Sequence, residues 1–227
     1  MGFQNTVFFR VLLALKRSLL VAWILLVKQG YFRSVIKGAP VAAKGEPLPW
    51  FTYPAIEYLK QFDFSDKRVF EYGAGNSSLF WAARAREVVA VESDREWFNR
   101  ISGACPSNLH LNMHTDKESY VSCITRQEAE FDVIVIDGQW RNACAAVCIA
   151  CLNQHGMIII DNSDRHYKGS DLLRNEGFLQ IDFNGFSPVN KYASTTSVFI
   201  LAPTDIQAGY SQPVPAGGLE EIASDDD

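Results

Sequence analysis

The stretch that most constrains this chain runs from Arg68 to Asp94, RVFEYGAGNSSLFWAARAREVVAVESD. Val69 to Tyr72 is a short apolar run, broken by Gly73-Ala74-Gly75. Asn76-Ser77-Ser78 supplies side chains that accept the orphan backbone N–H groups of a helix start. Leu79 to Arg86 has helical composition, and Val88 to Val91 is a second β-branched run that ends in Glu92. Strand, glycine turn, helix and strand make half of a nucleotide-binding βαβ unit. A carboxylate at the tip of the second strand, here Glu92, suits a ribose diol.

Two residues separate the stretch from a dinucleotide site. Ser78 stands where the GxGxxG fingerprint needs its third glycine. Glu71 precedes the loop and would repel a pyrophosphate, while suiting a cationic ligand. S-adenosylmethionine (SAM) is such a ligand, with a sulfonium, an ammonium and no phosphate. The EYGAG and AVESD segments resemble motifs I and II of class I SAM-dependent methyltransferases. The resemblance implies cofactor contacts from Glu71, Gly73, Gly75, Asn76, Ser77, Ser78, Glu92 and Ser93. It extends over about Trp50 to Ala202, and the patterns W-x-TYPAIEYL, FEYGxGxS, IDGxxR and DNSD are similar to those of a bacterial-type group whose acceptor is unassigned.

With 227 residues, 48% hydrophobic and 21% charged, the chain suits one α/β domain with extensions. A formal charge of −5 does not suggest a nucleic-acid partner. Five cysteines without framework spacing favour a reducing compartment, hence the cytoplasm.

Residues 1–37 read as an apolar and basic N-terminal helix. Arg10, Arg17 and Lys28 share one face at 100° per residue. That pattern fits a helix lying on an anionic membrane surface, and equally one packed on the domain or on a partner. Residues 38–49 read as a Gly/Pro/Ala linker. Pro54 opens a helix in WFTYPAIEYLKQF. In the family that this resembles, such a helix covers the cofactor, which makes Trp50 and Tyr53 candidate contacts.

Further along, Asn108 to Met113 reads as a strand followed by Asp116, which the resemblance places against the adenine amino group. Phe131 to Asp137 is an apolar run of the kind a central parallel strand needs, and strand C-termini are where α/β sheets bind ligands. Asn142 to Asn153 reads as a helix ended by His155-Gly156. Cys144, Cys148 and Cys151 form a core stripe on it, because one straight helix cannot wrap an ion tetrahedrally. Met157 to Ile160 is the fifth strand. Leu179 to Phe183 and Thr196 to Leu201 suggest an antiparallel hairpin. The expected fold is therefore a Rossmann-like α/β domain over residues 50–203, with a seven-stranded, mostly parallel sheet closed by that hairpin. An acidic tail over 204–227 is expected to be disordered.

The expected activity is methyl transfer from SAM to a small-molecule acceptor. Asp137 and Arg141 are the catalytic candidates. Arg141, with aromatic walls from Trp50, Tyr53, Trp140 and Tyr192, suits a planar or sugar-like acceptor bearing an acidic group; the same position equally allows Arg141 to pair with a nearby acid and Trp140 to cap the core. Asp137, Asp161 and Asn162 also resemble the magnesium ligands of catechol-type O-methyltransferases, where an ion would lower an acceptor hydroxyl pKa. IDGQWR departs from that family's strand-four pattern. An NAD-linked oxidoreductase and a catalytically silent membrane scaffold remain as alternatives from other classes. The oligomeric state is not legible.

Overall fold

The computed structural model describes residues 7–103 and 105–201. The acidic tail lies outside them. Five parallel strands are β1 (Arg68–Tyr72), β2 (Glu87–Glu92), β3 (Leu109–Met113), β4 (Phe131–Ile136) and β5 (Leu152–Asp161). β6 (Phe178–Phe186) and β7 (Ala193–Leu201) form an antiparallel hairpin. The order is β3-β2-β1-β4-β5-β7-β6, with β7 inserted antiparallel beside β5. This is the Rossmann-like sheet with a reversed C-terminal hairpin that the pattern predicts. Its strand order reverses between β1 and β4, and crevices at such a point take ligands.

Strand residues alternate between two apolar layers, as a pleated sheet covered on both faces requires. Val69, Val88, Ala90, Val133 and Val135 pack with Phe51, Ile56, Leu59, Phe80 and Trp81. Phe70, Tyr72, Val89, Val91, Ile134 and Ile136 pack on the other face, with Cys144, Cys148 and Leu173. The helices are α3 (Tyr53–Leu59), α4 (Asn76–Ala82), α5 (Arg95–Ser102), α6 (Lys117–Val121), α7 (Arg141–Cys148) and α8 (Tyr167–Asn175).

Three local expectations change. The helix read over Asn142 to Asn153 ends at Cys148, and one tight 3₁₀ turn leads into β5 at Leu152. His155-Gly156 is strand, not a helix stop. A Cβ on Gly156 would lie 2.7 Å from Leu152 Cδ1 and 2.8 Å from Asp132 O, so this glycine serves a close approach at the β4–β5 register shift. The stretch read as a linker is folded: Val41 bridges Pro47, and Ala39, Val41 and Leu48 are buried. The N-terminal segment is two helices, α1 (Val7–Trp23) and α2 (Tyr31–Lys37), joined through a π-turn at Ile24–Lys28 and Gly30 with φ 85°.

No residue of α1 is buried, and Lys28 Nζ lies 5.0 Å from the Trp23 ring centroid. Leu25 and Tyr31 pack on the domain core. Among the described residues no helix is long and apolar enough to cross a membrane.

Candidate functional site

The tips of β1, β2 and β4 are tied together before any side chain contributes. Gly73 N–H donates to Val91 O at 2.8 Å, and Asp137 N–H donates to Tyr72 O at 3.0 Å. Gly73 has φ 95°, in the left-handed region that favours glycine. A Cβ there would lie 2.7 Å from the Gly138 Cα, so two glycines let the first and fourth loops touch backbone to backbone.

Above this contact opens a cleft of about 380 Å³. Gly73, Ala74, Gly75, Asn76 and Ser77 form one wall, and Glu92, Ser93, Asp94 and Trp97 another. Asp137, Gly138, Gln139 and Arg141 come from the β4–α7 turn, and Asp161 and Asn162 from the end of β5. Pro40 and Trp50 from the N-terminal segment, with Asn190 and Tyr192 from the hairpin loop, close the mouth. Tyr31 Oη donates to Asn190 O at 3.1 Å and Asn76 Nδ2 donates to Pro40 O at 2.6 Å, which fixes both borders to the domain.

Glu92 Oε1 accepts from the Ser93 and Asp94 N–H groups at 2.7 and 2.8 Å. Burial raises its carboxyl above the ordinary glutamate value, and these N–H groups oppose the rise. Asp94 then caps α5, accepting from Trp97 N–H at 2.8 Å, and so sets the indole of Trp97 on the cleft.

Arg141 lies inside the site rather than facing an acceptor. Its Nε donates to Gly138 O at 3.0 Å, Nη2 to Asp137 O at 3.0 Å, and Nη1 to Asp161 O. Nη2 also lies 3.2 Å from Asp137 Oδ1. The guanidinium therefore ties the tips of β4 and β5 together and pairs with Asp137, the second of the two roles that the sequence leaves open for it.

The magnesium reading fits poorly for the same reason. Asp161 Oδ1 accepts from the Thr196 hydroxyl, and the cation between the two loops is already Arg141. Among the described residues no cluster of three His, Cys, Asp or Glu side chains could hold an ion. Burial raises both carboxyls. For Asp137, Arg141 works against that rise; for Asp161 the neighbouring Asp137 adds to it.

Of the residues singled out in the sequence, the cleft gathers Gly73, Gly75, Asn76, Ser77, Glu92, Ser93, Asp137, Arg141, Asp161 and Asn162. Glu71 and Ser78 are fully buried beneath the loop. Three others lie elsewhere, one of them Trp140, which packs on the core against Tyr120 at 5.2 Å between ring centroids. Tyr53 is buried in the core, because Thr52 N–H donates to Thr196 Oγ1 and Thr52 Oγ1 to Phe183 O, pinning the start of α3 on the hairpin. Burial raises its phenol. Asp116 caps α6, accepting from Ser119 N–H at 2.8 Å, and does not line the cleft. Trp97, Pro40, Gln139 and Asn190 were missed. Trp97 had a local signal, since it follows an Asp helix cap. Pro40 and Asn190 reach the site only through tertiary packing.

The lining is acidic. Glu92, Asp94, Asp137 and Asp161 face it, and among the described lining residues Arg141 is the one cation, itself paired. Such a cleft holds a cationic ligand better than a pyrophosphate.

No family model matches the sequence. A ribosomal protein L11 methyltransferase from Prochlorococcus marinus (strain MIT 9301) is 32% identical over 158 residues, 62% of this chain and 49% of that protein. The protein of the same name from strain MIT 9312 is 28% identical over 170 residues, 74% of this chain and 50% of its own length. The chain thus spans about half the length of the curated relatives it matches. A solved Klebsiella pneumoniae structure, assigned by name to the O-methyltransferases, superimposes with a TM-score of 0.52 at 13% identity, covering 60% of this chain and 73% of its own, and shows the same fold. The relatives' name specifies a protein, which corrects the expectation of a small-molecule acceptor.

Proposed function

We propose a function for a chain that belongs, by its fold and its relatives, to the class I SAM-dependent methyltransferases: it binds SAM in the acidic cleft and passes the methyl group to a protein acceptor. The single observation that carries this is the pairing of the Gly73–Gly75 loop with Glu92 in one cleft whose lone lining cation is already paired. Among the described lining residues no unpaired cation is offered to the phosphates of NAD. Bound SAM supplies a methyl group activated by a sulfonium.

The chain's own residues supply position. Glu92 holds the ribose diol, with its carboxylate oriented by the Ser93 and Asp94 N–H groups. Trp97 offers a flat apolar wall to the adenine. Methyl transfer asks little covalent work of a protein, and alignment of the two partners is the main contribution. Asp137, half-buried at the end of β4 and lining the cleft, takes the proton that the acceptor gives up. Arg141 holds Asp137 in place through the backbone and the carboxylate. Trp50 and Tyr192 border the mouth where an acceptor side chain enters.

Calorimetry with SAM, S-adenosylhomocysteine (SAH) and NAD tests the cofactor assignment. Binding of the first two and not the third is expected, and the reverse would sink it. Glu92→Ala should weaken SAH by about 1.5–3 kcal/mol, the range for hydrogen bonds to a charged group. The acceptor is tested with purified ribosomal protein L11 and methyl-labelled SAM. Label on that protein is expected. Tight SAH binding without label would remove this acceptor and leave the cofactor standing.

A further inference from the structure

Beneath the glycine loop runs a buried hydrogen-bonded chain that the methyl transfer above does not use. Gly75 N–H donates to Ser78 Oγ at 3.1 Å, and the Ser78 hydroxyl donates to Glu71 Oε2. Both side chains are fully buried. The other carboxyl oxygen, Glu71 Oε1, has no hydrogen-bond partner among the described residues. Burial pushes this carboxyl up to about 8, against the hydroxyls of Ser78 and Ser77. The charged groups that act on it are acidic, Asp137 at the end of β4 and Glu92 at the end of β2, and both raise it further.

The chain can exist in two hydrogen-bonded forms. An ionised carboxylate only accepts, so the Ser78 hydrogen points at Glu71 and its lone pairs stay on Gly75 N–H. A neutral carboxyl also donates. Its proton then points at the same serine oxygen, so the Ser78 hydrogen turns away from Glu71 and that oxygen is shared between the carboxyl and Gly75 N–H. A glycine at position 78, as in a dinucleotide fingerprint, would leave Gly75 and Glu71 unconnected.

We propose that Ser78 is a positioning residue that couples the proton on Glu71 to the shape of the Gly73–Gly75 loop, so that cofactor affinity follows the charge state of Glu71. The affinity half rests on the SAM reading above; the coupling itself does not. A cationic ligand entering an acidic cleft favours the ionised form, so binding releases a proton and tightens as pH rises toward 8.

The test has two arms. Carbon-13 NMR of labelled glutamate carboxyls, assigned with Glu71→Gln, follows the Glu71 titration without ligand. Ser78→Ala should move its midpoint upward, and Ser78→Thr should restore it. Calorimetry with SAM, which carries the sulfonium, from pH 6.5 to 8.5 follows affinity. The wild type should tighten about 10-fold over that range, as linkage to one proton allows. Glu71→Gln should remove the dependence, and Ser78→Ala should bind several-fold more weakly while Ser78→Thr recovers. Circular dichroism confirms that each variant is folded. An unmoved Glu71 midpoint in Ser78→Ala, with an unchanged SAM profile, overturns the proposal. If the wild type binds neither SAM nor SAH at any pH while the midpoint still moves, the cofactor reading fails and the coupling stands.

Discussion

Four carboxyls at or beneath the cleft, on Glu71, Glu92, Asp137 and Asp161, are held above their ordinary values, with burial the first cause in each. Their sign sets a pH dependence opposite to that of salt-bridged acids. A carboxyl whose folded pKa is raised binds its proton more tightly in the native state. Its contribution to stability is complete below the unfolded value near ~4 and is lost as pH rises through the folded value, about 8 for Glu71. The ligand-free protein should therefore melt at lower temperature at pH 9 than at pH 6. Glu71→Gln and Asp161→Asn should each flatten that slope in scanning calorimetry; a melting temperature that rises with pH would contradict the assignment. At this scale the sequence was most informative where neighbours in space are neighbours in the chain. Glu92, the glycines and Ser78 belong to one βαβ half and were legible. For Arg141 the sequence left acid pairing and acceptor grip side by side, because the choice depends on the β4 and β5 tips lying next to each other.

Among the elements, the join between β4 and β5 carries the site. Arg141, in the first turn of α7, donates to three carbonyls on the two strand tips. Arg141→Lys keeps a charge and loses the planar fork that reaches several acceptors at once. Leaving partly buried carbonyls short of donors costs about 1–3 kcal/mol. The variant should melt several degrees lower and bind SAH more weakly, since Asp137 and Gly138 shift with the loop. An unchanged melting temperature would show the fork to be dispensable. The elements that the sequence misplaced share a cause. Gly156 reads as a helix stop until its contact with Leu152 is seen, and α3 reads as a cofactor cover until Thr52 is seen bonded to β6 and β7. Both are decided by partners far away in the chain.

For the whole molecule, α1 stands apart from an otherwise packed unit. Phe8, Leu12, Leu15 and Leu19 are exposed, whereas Tyr31, Ser34 and Val41 are bound into the domain. Deletion of α1, Val7–Trp23, should therefore keep the melting temperature within about 2 °C and the SAH affinity within 2-fold, because the residues of α1 bury nothing and so contribute little to folding. Removal of residues up to Gly38 should be costly. It deletes Tyr31 and Ser34, and with them the bonds to Asn190 and Val41 that hold the mouth. Equal losses from both truncations would mean that α1 contacts the domain after all.

The insertion of β7 between β5 and β6 has a consequence for the order of biosynthesis. Every other strand of the sheet is complete when residue 186 is made, yet β5 then presents a bare edge from Met157 to Asp161. Open edges of this kind invite pairing with other chains. Thr196, which bonds both Asp161 and Thr52, belongs to that last strand. The cleft is thus finished only as Ala193 to Leu201 leaves the ribosome, and the nascent domain must wait with an adhesive edge exposed. A chain halted before residue 193 should be degraded or aggregate in cells, while the full chain should accumulate as a folded, SAH-binding protein.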